Sequence, residues 1–84
     1  MTLKIIMVGS MKNAFGWKPS VTVDVDKDEI TGEDLLSLIG LDRDEAKMFG
    51  FLLVNGTKVN REAAVDFIIK EGDTIKAFPK TFGG

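Results

Sequence analysis

The clearest structural signal in the sequence is FLLVNGTKV, residues 51–59, in which Asn55-Gly56 separates two apolar runs. A two-residue hairpin turn of type I′ needs φ > 0 at both central residues, and an Asn-Gly pair adopts that conformation at low cost. The stretch therefore predicts two antiparallel strands joined by a tight turn. It also predicts which side chains share a face, because alternate residues of a strand point to opposite sides of the sheet.

Two further strands are predicted before this hairpin. Residues 3–8 form a short apolar run that ends at Gly9, and residues 20–26 alternate strictly between valine and polar residues. The connection, residues 9–19, contains two glycines and a proline, so we expect a loop in which Trp17 packs as an anchor on the sheet edge. The first two strands then pair as a hairpin with a long connection.

One amphipathic helix is predicted between the two hairpins. Thr31 is its N-cap, with Asp34 three residues on in a capping-box position, and Gly40 is its C-terminal cap. The face expected to be buried holds the apolar residues at i, i+3 and i+4, with Leu36 at its margin: Leu35, Leu38 and Ile39. A second, shorter helical piece is predicted from Asp42 to Gly50.

The last strand, residues 74–78, follows a Gly-Asp turn and is ended by Pro79, which cannot donate a ladder hydrogen bond. Residues 60–70 are expected to be irregular. The element order predicts an α+β fold in which a sheet of about five strands packs on one main helix. We assign residues 1–79 to one domain and residues 80–84 to a flexible C-terminal tail.

The composition limits the chemistry that this domain can perform. Its 84 residues include no Cys, His or Tyr, which excludes disulfides, zinc-finger sites and Ser–His–Asp or Cys–His nucleophilic sites. A net charge of −2 disfavours non-specific binding to nucleic acid, and the N-terminus reads as neither a signal peptide nor a membrane span. We therefore expect a cytoplasmic protein that is not an enzyme, with no bound metal or cofactor and no nucleic-acid or membrane partner.

The second half of the sequence resembles the ThiS/MoaD family of sulfur carrier proteins, which have the ubiquitin-like β-grasp fold. The resemblance is strong over residues 51–84 and only architectural over residues 1–50. It depends on four features in order: the Asn55-Gly56 turn, the Glu71-Gly72-Asp73 turn, Pro79 at the end of the last strand, and the terminal Gly83-Gly84. It implies a mixed β-grasp sheet.

The resemblance also implies that the C-terminal carboxylate of Gly84 is the working group. In this family an E1-like enzyme adenylates that carboxylate with ATP, which is used in trans, and a sulfur-donor system replaces the AMP to give a thiocarboxylate. The thiocarboxylate donates sulfur in cofactor biosynthesis. The chain length favours the small subunit of molybdopterin synthase, whose tail inserts into a larger catalytic subunit, over the thiamin type. Gly83 suits a tail that must lie close to channel walls, whereas Phe82 departs from the small residue usual in the family.

Strand alternation further predicts a partner surface on the sheet face that the helix leaves uncovered. The residues expected to face the helix are Leu52, Val54, Ile75 and Ala77. Leu53, Phe78 and Ile6 then lie on the opposite side. Because exposed apolar patches on small proteins usually mark partner sites, we assign these three residues to partner binding. Lys80 is expected to guide the tail to an acidic partner surface.

Two other functions fit the same sequence. A ubiquitin-like protein modifier needs the same activation and ends in an isopeptide bond from Gly84 to a lysine. A β-grasp interaction module leaves the tail without a role.

Overall fold

The computed structural model describes residues 1–42 and 47–80 of the chain. In chain order the strands are β1 (Thr2–Met7), β2 (Ser20–Asp24), β3 (Glu29–Thr31), β4 (Phe49–Val54), β5 (Thr57–Val59), β6 (Ile68–Lys70) and β7 (Ile75–Pro79). The helices are a 3₁₀ helix (Gly9–Phe15), α1 (Gly32–Ile39) and α2 (Arg61–Ala64). Within these described ranges, none of the helices combines the length and apolar character needed to span a bilayer.

Five strands form one mixed sheet in the order β2-β1-β7-β4-β5, and β3 pairs with β6 as a separate two-stranded sheet. The central strands β1 and β7 are parallel, whereas the other neighbouring pairs of the large sheet are antiparallel. Side chains from β1, β4, β5, β7 and α1 meet in one hydrophobic core. This arrangement confirms the predicted α+β fold with a five-stranded mixed sheet and one main helix.

The predicted β4–β5 hairpin is confirmed. Asn55 and Gly56 have φ values of 51° and 85°, and Val54 pairs with Thr57 across the turn. The Asn55 side chain does more than form the turn, because its Oδ1 accepts a 2.9 Å hydrogen bond from the backbone N–H of Thr74. The hairpin is thereby tied to the start of β7.

Helix α1 begins and ends where the sequence predicts. The hydroxyl of Thr31 accepts a hydrogen bond from the backbone N–H of Asp34 at 3.1 Å, and Gly40 follows with a φ of 79°. The buried face differs from the prediction in one residue, because Leu38 is 56% exposed. The buried apolar residues of the helix are Leu35, Leu36 and Ile39.

The prediction for Leu38 is wrong because it did not include the packing of α2. Gly32 is buried in the first turn of α1, and a Cβ there would lie 3.0 Å from the Cβ of Ala64 in α2. With 3.6 residues per turn, Gly32 and Leu36 lie on the same side of the helix and Leu38 is turned away from it. The contact with α2 therefore rotates the buried face toward Leu36.

Two segments expected to be irregular are ordered. Residues 60–70 contain α2, capped by the side chain of Asn60 at 2.8 Å from the Ala63 N–H, and β6, which pairs with β3. Residues 9–19 contain the 3₁₀ helix, whose Met11 is fully buried. Both expectations were wrong because elements of three to seven residues are too short to show a period in the sequence.

Two predictions near β4 need separate mention. The short helical piece predicted from Asp42 onward falls largely on residues 43–46, which lie outside the described residues. Gly50 does not end a helix; it lies within β4. Pro79, predicted to follow the last strand, is instead its final residue and is buried.

Candidate functional site

The sheet has one face toward α1 and one face that points away from it, here termed the open face. The residues predicted to face the helix are all buried: Leu52, Val54, Ile75 and Ala77. Leu53, Phe78 and Ile6 lie on the open face and are only half-buried. The predicted sorting of these residues between the two faces is confirmed, and their role in partner binding stays a prediction.

An aromatic pair lies on the open face. Phe51 and Phe78 are cross-strand partners whose rings stack with centroids 5.0 Å apart and planes 4° from parallel. The ammonium group of Lys58 lies 4.7 Å from the centroid of the Phe51 ring, a cation–π distance. Sequence reasoning missed Phe51, although it lies two residues before Leu53 on the same strand and alternation places both on one face.

Lysines border this apolar surface. Lys58 and Lys76 are the cross-strand neighbours of Leu53 on either side, and Lys4 lies two residues before Ile6 on β1. The chain as a whole has a net charge of −2. Among the described residues, the open face therefore has three lysines against one carboxylate, Asp24, which lies at its β2 edge and accepts a hydrogen bond from Thr2. This excess of positive charge suits a partner with an apolar centre and acidic edges.

The chain leaves the sheet at a fixed point, here termed the tail exit: Pro79, Lys80 and the β4 backbone packed against them. The Lys80 N–H donates a 2.6 Å hydrogen bond to the carbonyl of Met48. A Cβ on Gly50 would lie 2.9 Å from both the Lys80 Cα and the Pro79 carbonyl oxygen, so the two backbones are in direct contact. The final residues, Thr81 to Gly84, include the predicted Phe82, Gly83 and Gly84 and lie outside the described residues.

Gly50 also changes the sidedness of β4. Phe49 pairs with Pro79 and Phe51 pairs with Phe78, so Gly50 is the extra residue of a β-bulge. Strict alternation would put Phe49 and Phe51 on the same face. The bulge instead puts Phe49 in the core and leaves Phe51 on the open face.

Trp17 lies at the same end of the sheet as the tail exit. The 3₁₀ helix starts two residues after β1 and contacts β7, and the segment returns to β1 through a 2.9 Å hydrogen bond from the Met7 N–H to the Pro19 carbonyl. Trp17 was predicted to anchor this segment, but it is 72% exposed. That prediction is wrong because buried Met11 and half-buried Phe15 supply the packing instead.

The side chain of Arg61 has a structural role. Arg61 donates a 2.9 Å hydrogen bond to the Leu41 carbonyl and lies 5.3 Å from the centroid of the Phe49 ring, which links α2 to the core. Within residues 1–42 and 47–80, no group of three or more acidic side chains is placed to hold a metal ion. The open face and the tail exit are therefore the candidate functional site.

The fold is that of a ubiquitin-like β-grasp domain, in which Lys80 at the tail exit follows directly from the central strand β7. SAMP1 from Haloferax volcanii is 26% identical to the chain, with 100% of both chains covered and a TM-score of 0.68. A Pyrococcus furiosus protein assigned as molybdopterin converting factor subunit 1 is 18% identical over 96% of this chain and 99% of its own, with a TM-score of 0.71. The thiamine biosynthesis protein ThiS from Geobacter metallireducens is 20% identical over 98% of this chain and 100% of its own, with a TM-score of 0.58.

No family model and no curated protein matches the sequence. The structural neighbours nevertheless extend along almost the whole chain, including residues 1–50, where the sequence showed only an architectural likeness. They confirm the β-grasp fold and the resemblance to ubiquitin-like sulfur carrier proteins.

Proposed function

We propose that this protein is a sulfur carrier, not an enzyme, whose Gly84 carboxylate is adenylated and then converted to a thiocarboxylate. A carboxylate oxygen attacks the α-phosphorus of ATP and pyrophosphate leaves, which gives an acyl-adenylate. Sulfide-level sulfur from a sulfur-donor system then attacks the acyl carbon and AMP leaves. The chain has no Cys or His, so an E1-like enzyme supplies this chemistry in trans.

The observation that supports the proposal best is the tail exit. The backbone of Lys80 is held by Met48 and packs on Gly50, only four residues before the terminal carboxylate. An extended chain advances at most about 3.6 Å per residue, so Gly84 can reach roughly 14 Å from Lys80. A partner active site must therefore come close to this end of the sheet. The folded domain then positions the carboxylate relative to that site.

The open face is the proposed docking surface for the E1-like enzyme and for a larger synthase subunit. Its stacked pair Phe51 and Phe78 supplies the apolar centre, with Leu53 and Ile6 beside it. Lysine side chains at its edge favour an acidic partner, and Lys80 extends the same charge to the tail exit. Aromatic side chains that become buried when a partner binds often contribute much of the binding energy of a protein interface.

Sulfur transfer in molybdopterin biosynthesis is the first form of the proposal and sulfur transfer in thiamin biosynthesis the second, since the backbone superposes better on the Pyrococcus furiosus protein, at a TM-score of 0.71, than on ThiS, at 0.58. A second candidate is a ubiquitin-like protein modifier, which the likeness to SAMP1 at 26% identity supports. Both functions need the same adenylation step. They differ in what attacks the activated carboxyl group, sulfur in one case and a lysine amine in the other.

The deciding experiment is intact mass measurement of the protein after incubation with ATP, the E1-like enzyme of its source cell and a sulfide donor. We expect a product in which one oxygen of the C-terminal peptide is replaced by sulfur. Deletion of Gly84 should abolish this product without changing the thermal unfolding temperature, because Gly84 comes after β7 in the sequence and the hydrophobic core is built from residues of the described ranges.

A second variant with one alanine added after Gly84 separates the remaining possibilities. The carrier and the modifier both need a free Gly84 carboxylate, so this extension should abolish activation. Unchanged function of the extended chain would contradict both and favour the interaction module. Covalent adducts on the lysines of other proteins, with no thiocarboxylate, would favour the modifier.

A further inference from the structure

Trp17 has a backbone conformation that is costly for its residue type. Its φ is 66°, and Gly16 before it has a φ of 64°, so two successive residues are left-handed. A glycine adopts this region freely, whereas a bulky L residue there is a steric outlier. Such outliers persist only where the surrounding structure imposes them, and they cluster at functional sites.

The surrounding segment imposes this conformation through its hydrogen bonds. The Trp17 N–H donates to the Lys12 carbonyl at 2.8 Å, and the Lys18 N–H donates to the Phe15 carbonyl at 3.3 Å. The core contacts of the segment come from Met11 and Phe15, so the indole is not required for folding. The segment therefore fixes the backbone at Trp17 and leaves most of the indole in solvent.

The strand topology places the segment that carries Trp17 at the same end of the sheet as the tail exit. Strands β1 and β7 are parallel with Met7 opposite Ala77, and the Val8 N–H donates a 3.0 Å hydrogen bond to the Ala77 carbonyl. The segment that carries Trp17 starts from this point, and Lys80 lies three residues beyond Ala77, where β7 leaves the sheet at the same end. An enzyme that takes up the terminal carboxylate must approach this same end.

We propose that Trp17 inserts into an apolar pocket of the enzyme that adenylates the tail, next to the entrance for the tail, and that it determines which carriers this enzyme accepts. The proposal depends on the function proposed above and holds for a carrier and a modifier alike, since both are adenylated. Lys12 and Lys18 lie in the same segment, so the pocket should have acidic groups at its edge. Because the backbone at Trp17 is already fixed, binding there costs little backbone conformational entropy, which favours recognition by this residue.

The test measures ATP–pyrophosphate exchange by the E1-like enzyme of the source cell at increasing concentrations of each carrier variant. We expect Trp17→Ala to raise KM for the carrier by about 10-fold or more, as for loss of an aromatic interface anchor, and to leave kcat nearly unchanged. Trp17→Phe should recover part of the loss. The matched control is Leu38→Ala, since Leu38 is also large, apolar and exposed but lies on α1, in a groove that Val25 and Ile30 also line. It should leave KM unchanged.

Two further measurements separate recognition from folding. Trp17→Gly should raise the unfolding temperature, because glycine relieves the left-handed strain, while raising KM as Trp17→Ala does. Trp17 is the one tryptophan of the sequence, so 5-fluorotryptophan labelling gives a fluorine signal for this indole alone, which should shift when the activating enzyme is added. If wild-type protein is adenylated and Trp17→Ala has an unchanged KM, this inference is wrong and the proposed function stands. If wild-type protein is not adenylated at all, the proposed function fails as well.

Discussion

The two faces of the five-stranded sheet use apolar side chains for different purposes. On the face toward α1, residues such as Ile75 and Leu52 have lost all contact with solvent. On the open face, Phe78 and Leu53 are half-buried and lysines stand around them. Residues adjacent in sequence therefore belong either to the core or to a surface suited to binding. The face of the sheet to which alternation along the strand assigns a residue, more than the residue type, therefore decides whether the side chain stabilises the core or is available for binding.

The largest effect on stability is expected from Ile75→Ala. Ile75 is fully buried between the sheet and α1, so its truncation leaves a cavity that should lower the free energy of unfolding by about 2–5 kcal/mol. Denaturant unfolding followed by circular dichroism measures this loss. If Ile75→Ala destabilised the protein less than Phe78→Ala does, the assignment of the two faces would be reversed.

A smaller loss of stability is expected from a substitution at Gly50, the extra residue of the β-bulge. Gly50→Ala places a Cβ 2.9 Å from the backbone of Lys80, and it should cost about 1–3 kcal/mol because the contact cannot relax without moving the tail exit. The adenylation rate should fall with it, since a misplaced reacting group can slow a reaction strongly. Unfolding experiments and ATP–pyrophosphate exchange measure the two quantities.

Gly32→Ala is the matched control for this prediction. Its new Cβ would meet Ala64 at 3.0 Å, a similarly close contact, but at the junction of α1 and α2 and without touching Pro79 or Lys80. We expect a comparable loss of stability with an unchanged adenylation rate. Equal rates for Gly50→Ala and Gly32→Ala would show that the bulge has only a structural role.

The parts of the fold that the sequence predicted are those specified by local chemistry. The Asn55-Gly56 turn, the Thr31 cap and the valine alternation of β2 each depend on residues within a few positions of one another. The bulge at Gly50 and the rotation of α1 away from Leu38 depend instead on contacts between distant segments. No local pattern contains that information.

The residues of the candidate site also divide into those that local sequence patterns predicted and those that they did not. Leu53, Phe78 and Ile6 were assigned to the correct face, because the turn and the strand ends fix which alternate residues point to each side of the sheet. The tail exit was not predicted, since Gly50 matters for the space it leaves beside Lys80 and not for a turn that it forms. The exposure of Trp17 was also missed, because the local sequence around a tryptophan in a loop does not show whether its side chain packs on the sheet or is exposed to solvent.

The smallest effect on stability is expected from Phe78→Ala, which tests the open face directly. The ring is half-buried and stacks on Phe51 at 5.0 Å, so its loss should cost about 0.5–1.5 kcal/mol of aromatic pairing, less than the cavity left by Ile75→Ala. Binding to the activating enzyme should weaken by about 1–3 kcal/mol, because an aromatic anchor at the centre of an interface contributes more there than in the free protein.

Isothermal titration calorimetry with the E1-like enzyme measures this binding loss, and denaturant unfolding measures the stability of the same sample. For Phe78→Ala we expect the binding free energy to fall by more than the free energy of unfolding. For Ile75→Ala we expect the opposite. Both variants are compared at a temperature where each of them is folded. Leu38→Ala should change neither quantity appreciably, since its side chain is exposed on α1 and lies on neither sheet face. Unchanged binding for Phe78→Ala would show that the open face does not contact the activating enzyme, and recognition would then depend on the tail exit and Trp17.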